Sequence, residues 1–157
     1  MMKKIFLLIL AAVFLGGGWY LFAWNRTQQA AFAVHALGRY LHAYELSGGA
    51  SINNLSELPD FFLAAPEHSL SIRASDLRMR VYQGYWYDLN RLDARRFVIS
   101  ASPVGFGPVR VEFGMTDDLN LRVNTQGVDT DADSYEEVSN WPLEVRWYDL
   151  ATQTQRR

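Results

Sequence analysis

The chain of 157 residues contains no cysteine, and Lys3 and Lys4 are its only lysines. Without cysteine, disulfide bonds, zinc–thiolate sites, thiol catalysis and lipid attachment through a thiol are all excluded. The folded part must therefore be stabilised by packing or by a bound ion. Beyond residue 24 the sequence holds 13 Arg and 17 Asp or Glu residues, a net charge of about −4. This charge gives no global electrostatic reason to expect nucleic acid or anionic lipid as a partner.

The sequence motifs of common catalytic sites are missing as well. No Gly-x-Ser-x-Gly occurs, and Gly105–Pro108 is not followed by the Lys-Ser/Thr of a phosphate-binding loop. His35, Arg39 and His42 share a helical face at spacings i, i+4 and i+7, which we interpret as a polar strip, solvated or facing the domain, and not as a metal site. We therefore predict that the protein is not an enzyme.

Charged side chains are also missing from residues 5–24, which follow a short basic start at residues 1–4. A helix of 20 residues covers the roughly 30 Å hydrocarbon core of a bilayer. Trp19, Tyr20 and Trp24 stand towards its far end, where aromatic rings favour the membrane–water interface. This pattern predicts a transmembrane helix over residues 5–24.

The two lysines predict the orientation of this helix, since positive charge resists translocation. Residues 1–4 are expected in the cytoplasm, and everything after Asn25 on the far side of the membrane. A cleaved signal peptide is the alternative, with Ala31–Ala33 offering small residues at the spacing that a signal peptidase accepts. The apolar run is longer than most signal peptides have, which favours a retained anchor.

Residues 25–47 continue the helical pattern as an amphipathic extension of the membrane helix. Ser47-Gly48-Gly49 is a typical helix C-terminus. Apolar side chains recur at spacings of 4, 3, 4 and 3, which places them on one stripe: Ala30, Val34, Leu37, Leu41 and Tyr44. Residues 51–75 are predicted to be irregular, with one short helical turn around Leu55–Leu58.

From Leu77 onward the apolar residues alternate with polar ones, a period typical of half-buried strands. The alternation predicts strands near 77–82, 85–87, 97–99, 109–113, 119–123 and 143–147, and short turns between them favour antiparallel pairing. We predict an α+β fold, with a long N-terminal helix packed on an antiparallel β-sheet domain over residues 48–150 and a flexible tail at 151–157.

Two groups of residues are candidates for binding. Tyr85, Trp86 and Tyr87 could stack a sugar or a peptide, although alternating aromatics more often build a core. Asp129, Asp131 and Asp133 alternate in a loop, as ligands of Ca²⁺ do in the first half of an EF-hand. The sixth and twelfth positions of that loop are Ser134 and Asn140, so it is not an EF-hand. The alternative for the aspartates is a solvated acidic loop without an ion.

Several segments together resemble the type IV pilin-like proteins, especially the pseudopilins of type II secretion systems. They are Leu55–Pro59, Gly84–Tyr87, Phe97–Pro103, Val111–Phe113 and the acidic segment from Gly127 to Trp141. The resemblance implies a pilin-like subunit in the inner (cytoplasmic) membrane, with its C-terminal domain in the periplasm or outside. It further implies calcium in the acidic loop, and membrane lipid and other pilin-like or secretion-system subunits as partners.

The N-terminus departs from the pattern of that family, whose leader ends in Gly and is followed by a Glu at the fifth mature position. Cuts after Gly16, Gly17 or Gly18 would place Leu21, Phe22 or Ala23 there. The resemblance therefore implies a divergent member that lacks the usual prepilin peptidase site. A second interpretation is a bitopic periplasmic binding module that recognises a peptide, glycan or envelope partner through residues 85–87.

Overall fold

A computed structural model describes residues 2–105, 110–124 and 133–144 of the chain. Helix α1 (Met2–Leu46) runs unbroken for 45 residues, because alanine is frequent and proline is absent over this range. It ends where predicted: Gly48 adopts φ +86°, and its N–H donates to the Glu45 carbonyl at 3.0 Å. Glycine takes this left-handed conformation without the steric cost that other residues meet.

The two halves of α1 have different surroundings. Residues 5–22 are all exposed, whereas every residue from Gln29 to His35 is buried. Successive residues of a helix are about 100° apart, so these seven cover its whole circumference. The predicted stripe is buried from Ala30 to Leu41, and Tyr44 is half-buried. From Gln29 to His35, however, the helix is enclosed on all sides instead of packing by one face. Two groups of β-strands cover this segment of the helix.

One cover is a five-stranded antiparallel sheet in the order β3-β4-β5-β6-β7. Its strands are β3 (Val81–Tyr82), β4 (Tyr85–Arg91), β5 (Phe97–Pro103), β6 (Glu112–Thr116) and β7 (Leu121–Asn124). The second cover is a hairpin of β1 (Phe62–Ala65) and β2 (Leu70–Arg73), of which β2 contacts α1. Short helices α2 (Ala74–Arg78) and α3 (Tyr135–Asn140) complete the described fold, with 3₁₀ turns at Leu55–Glu57 and Pro66–His68. This arrangement confirms the predicted α+β fold with a long N-terminal helix packed on an antiparallel sheet.

The inner face of the sheet packs on α1 and the outer face is partly covered by α3. Tyr87 pairs with Ala101, and Ala101 with Phe113, and all three are fully buried towards the helix. On the outer face, Val138 and Trp141 pack over β6. As a result, the first five residues of β5 and all of β6 are buried, rather than half-buried as their alternation predicted.

Glycine at position 114 makes the outer packing possible. A Cβ atom there would lie 2.5 Å from Cγ1 of Val138 and 2.9 Å from Cζ3 of Trp141, closer than real side chains approach. Arg122 then holds the end of α3, since its Nη1 donates to the Trp141 carbonyl at 3.1 Å. Gly114 thus allows α3 to lie directly on the sheet.

Strand β4 is joined to α1 at both of its ends, in the same order along the two elements. At its start, the Tyr85 hydroxyl donates to Oγ1 of Thr27 at 3.1 Å, and at its end Arg91 forms an ion pair with Glu45. The helix rises about 27 Å between residues 27 and 45. The strand covers about 20 Å between residues 85 and 91. The β3–β4 turn therefore lies at the end of the domain from which the exposed half of α1 projects.

Part of the predicted strand pattern is wrong. The strand predicted over 77–82 is formed only at Val81–Tyr82, because the preceding residues form α2. Ala74 and Leu77 are buried together at helical spacing, and the Asp76 carboxylate accepts from the Arg73 N–H at 3.0 Å. Leu119 lies in a turn at φ +58°, before β7 begins.

Other differences concern elements that the alternation does not reveal. Residues 51–75 contain the β1–β2 hairpin besides the predicted helical turn at Leu55. Helix α3 is formed where only an acidic loop was expected. Of the last predicted strand, Leu143 makes an isolated bridge with Arg122. Residues 109, 145 and 147 and the predicted tail at 151–157 lie outside the described residues.

Candidate functional site

The three aromatic residues predicted to bind a ligand do not share a face. Tyr85 and Tyr87 are 2% and 0% exposed and point to α1, whereas Trp86 is 45% exposed on the outer face. Burial raises the pKa of both tyrosines, so both hydroxyls stay protonated. A platform of three rings is not formed, and Trp86 alone is placed to meet a partner.

The predicted calcium ligands are only partly described. Asp129 and Asp131 lie outside the described residues. Asp133 is buried immediately before α3, whose first turn is capped by Oγ of Ser134 accepting from the Glu137 N–H at 3.2 Å. Among the described residues there is no group of three His, Asp or Glu side chains arranged to hold a metal. Calcium binding by the three aspartates stays a prediction.

The predicted polar strip on α1 is divided between the core and the surface. His35 is buried within the enclosed part of the helix, and Arg39 and His42 are exposed. Burial, together with the nearby Arg39 charge, lowers the pKa of His35 to about 4. The imidazole is therefore neutral near pH 7 and belongs to the core.

One contact between α1 and the β3–β4 turn cannot be recognised from the sequence. Nε of Arg26 donates to the carbonyl of Gln83 at 2.6 Å. Gln83 and Gly84 both have positive φ, of 51° and 74°, as a two-residue hairpin turn of this kind requires. A side chain at Gly84 would overlap the Arg26 guanidinium. The Gln83-Gly84 turn is visible in the sequence, but its partner on the helix is not.

A second set of bonds lies one residue further along α1. Thr27 is 1% exposed, and its hydroxyl donates to the Ala23 carbonyl at 2.9 Å while it accepts the Tyr85 hydroxyl. We call the contacts of Arg26 and Thr27 with the β3–β4 turn the near clamp. It sits at the point where the exposed half of α1 ends and the buried half begins.

A far clamp fixes the other end of the buried half. The Arg91 guanidinium, only 4% exposed, forms an ion pair with Glu45 and donates from Nε to the Ile52 carbonyl at 2.9 Å. The same guanidinium lies 5.6 Å from the ring centre of Phe97, within reach of a cation–π attraction. With both clamps in place, a pivot of the helix on the sheet would break hydrogen bonds at both ends of its buried half.

In the described part of the chain, α1 is the one helix long and apolar enough to cross a membrane. Its apolar stretch is fully exposed in the structure, unlike the core helix of a water-soluble domain. The arrangement is a folded sheet domain joined to such a helix without any intervening loop. No family model matches this chain, and no curated protein or solved structure shows significant similarity to it.

Proposed function

We propose that the protein is a single-pass, membrane-anchored structural subunit of pilin-like or pseudopilin-like type, built into a secretion or pilus-type assembly. One observation carries the proposal. The helix whose first half is apolar and exposed over residues 5–22 is also the central element of the folded core from Gln29 to His35. The domain and its anchor are therefore one rigid body.

Rigidity separates a structural subunit from a tethered binding module. A module that searches for its ligand is commonly joined to its anchor by a flexible segment rich in Gly, Ser or Pro. Here the near clamp begins at Arg26, two residues beyond Trp24, and the helix is continuous across this point. A subunit that must present its sheet at a fixed angle to neighbouring subunits needs this construction.

The exposed half of α1 offers a surface for such neighbours. Nothing in the structure lies within 4 Å of a Cβ atom placed at Gly16, Gly17 or Gly18. Small residues let helix backbones approach closely in a bilayer, where close packing drives association. The expected partners are the membrane helices of other pilin-like or secretion-system subunits, with membrane lipid around them. Positive charge resists translocation, so Lys3 and Lys4 favour an N-terminus in the cytoplasm and a domain in the periplasm or outside.

The proposal is tested by breaking the rigid connection. A variant with a Gly-Ser-Gly-Ser insertion after Asn25 keeps the anchor and the domain but lets them move independently. The matched control carries the same insertion between Ala50 and Ser51, which are both exposed beyond the end of α1. The measured quantity is the size of the complex that mild detergent extracts from the native membrane.

We expect the wild type and the control to be extracted in a large complex and the Asn25 insertion to be extracted as a single chain. If the Asn25 insertion leaves the complex unchanged, a fixed angle is not needed and the proposed function is wrong. That result would favour the second candidate, a bitopic binding module. The exposure of Trp86, at 45%, is the observation in favour of that candidate.

A further inference from the structure

An exposed apolar cluster lies beside the near clamp. It consists of Val81, Trp86 and Val104, which are 45%, 45% and 51% exposed and which we call the neck patch. Val81 is the register partner of Trp86, and the Val104 N–H donates to the Gly84 carbonyl at 2.9 Å. The three side chains therefore belong to one end of the sheet.

The outer face of β4 becomes polar with distance from this end. After Trp86, the outward residues of the strand are Asp88 and Asn90. Asp88 lies 3.8 Å from Nη1 of Arg80, in an exposed ion pair. Among the outward residues of β4, the exposed apolar side chain is thus Trp86, at the end that adjoins the near clamp.

The height of the neck patch above a membrane can be worked out from the rise of α1 beyond residue 24. If residues 5–24 span the hydrocarbon core, the next residues rise from its boundary at about 1.5 Å each, and Thr27 lies about 4.5 Å above it. Tyr85 is hydrogen-bonded to Thr27 and lies at a similar height. Trp86 is one strand residue further, which adds about 3 Å. Trp86 therefore lies about 7.5 Å above the boundary, at the outer edge of the headgroup region, which adds roughly 5–7.5 Å on each side of the core.

The chemistry of the patch suits that layer. Indole rings are enriched at membrane interfaces, where an apolar ring and a polar N–H are both satisfied. Arginine places its apolar stem in the boundary region and its charge among the headgroups, and Arg26 stands at this level. The two valines beside the indole add apolar surface, and removing this surface from water is favourable.

We propose that the neck patch rests in the headgroup layer of the bilayer leaflet from which α1 emerges. The domain then has a second point of contact with the membrane, besides its helix. This contact holds the sheet upright on the bilayer and sets the direction in which its outer face points. The inference rests on the proposed membrane span of residues 5–24, and its test separates the two.

The absence of cysteine makes the test direct, because each introduced cysteine is the only one in the chain. Full-length Val104→Cys, Leu92→Cys and Phe22→Cys proteins are labelled with a nitrobenzoxadiazole fluorophore. All three replaced side chains are exposed, so labelling spares the core. The proteins are reconstituted in phosphatidylcholine–phosphatidylglycerol vesicles, with or without a lipid that carries a nitroxide on its headgroup.

We expect the nitroxide to quench the probe at position 104 about as strongly as the probe at position 22. The probe at position 92, beyond the far end of β4, should keep its fluorescence. Adding Trp86→Ser to the Val104→Cys protein should reduce the quenching at 104 and leave that at 22 unchanged. Near-UV circular dichroism verifies that each labelled protein is folded.

The alternatives give different results. Quenching at 22 without quenching at 104 would leave the span intact and overturn the neck patch. A probe at 22 that is not quenched would show that the span itself fails, and with it the proposed function. A probe at 104 whose quenching decreases as protein is added at constant lipid would show a second copy of the chain covering the patch, which also overturns the inference.

Discussion

Acid should weaken the folded domain through one histidine in the middle of α1. His35 lies in the enclosed segment and is 5% exposed. Burial, with a further contribution from Arg39, lowers its pKa from the ordinary 6.5 to about 4. The folded protein therefore binds a proton at this site less readily than the unfolded chain does.

The sign and size of the effect follow from this difference. Between pH 4 and pH 6.5 the unfolded state holds more protons on this residue, so the free energy of unfolding rises with pH across the window. Above pH 6.5 the residue is neutral in both states and its contribution is constant. A pKa lowered from 6.5 to about 4 corresponds to roughly 3 kcal/mol of stability lost by pH 4. Asp93, whose pKa is held at about 2 by N–H groups of Arg95 and Arg96, acts below this window.

The assay is urea unfolding of the full-length protein in detergent micelles, followed by near-UV circular dichroism from pH 4 upwards. His35→Leu should be much less sensitive to pH between pH 4 and 6.5 than the wild type. The matched control is His42→Leu, because His42 is exposed on the same helix, and it should keep the wild-type dependence. An unchanged pH dependence in His35→Leu would show that a different group causes the acid sensitivity and would refute this reasoning.

Three further substitutions test the packing around the helix and the sheet. Gly114→Leu should displace α3, at a cost of about 1–3 kcal/mol in the free energy of unfolding. Hydrogen exchange should then show lost protection of the Val138 amide, and full protection of this amide would contradict the close packing. Gly84→Ala forces a Cβ into a left-handed conformation and also displaces the Arg26 guanidinium. It should lower the free energy of unfolding by at least about 1–2 kcal/mol, and an unchanged urea midpoint would show that the turn and Arg26 rearrange freely. Arg91→Met leaves Glu45 without its charged partner and should lower the free energy of unfolding by about 1.5–3 kcal/mol in the same urea assay. Glu45→Gln should cost less, and equal losses for the two variants would argue against an ion pair at the far clamp.

The long helix and the sheet were predictable because both have strong local signals. The apolar run, the lack of proline and the Gly48-Gly49 stop determine α1 from neighbouring residues alone. Its enclosure was not predictable, because it depends on the β1–β2 hairpin, which packs on the helix from elsewhere in the chain. The position of Gly38 was not predictable either, because it is a poor helix former and only the structure shows Met115 lying where its side chain would be.

Short elements were missed or misassigned where two periods fit the same residues. Ala74 and Leu77 are three residues apart, and Leu77 also starts an alternating series, so helix and strand compete. Helix α3 had a usable signal in Ser134 followed three residues later by Glu137, the spacing of a capping box, but the surrounding acidic residues suggested a loop.

The candidate site was predicted only in part, since its contacts join residues far apart in the chain. The Gln83-Gly84 turn is readable as a hairpin, yet nothing local indicates that Arg26 holds it. Alternation correctly puts Trp86 on the opposite face from its two tyrosine neighbours, which is the reason that the three rings do not act together.

The two attachments of β4 to α1 have a mechanical consequence. A pull along α1 reaches β4 at both of its ends, through Thr27 to Tyr85 and through Glu45 to Arg91. The load is therefore shared between the first and last residues of the strand, instead of opening the β4–β5 pairing from one end.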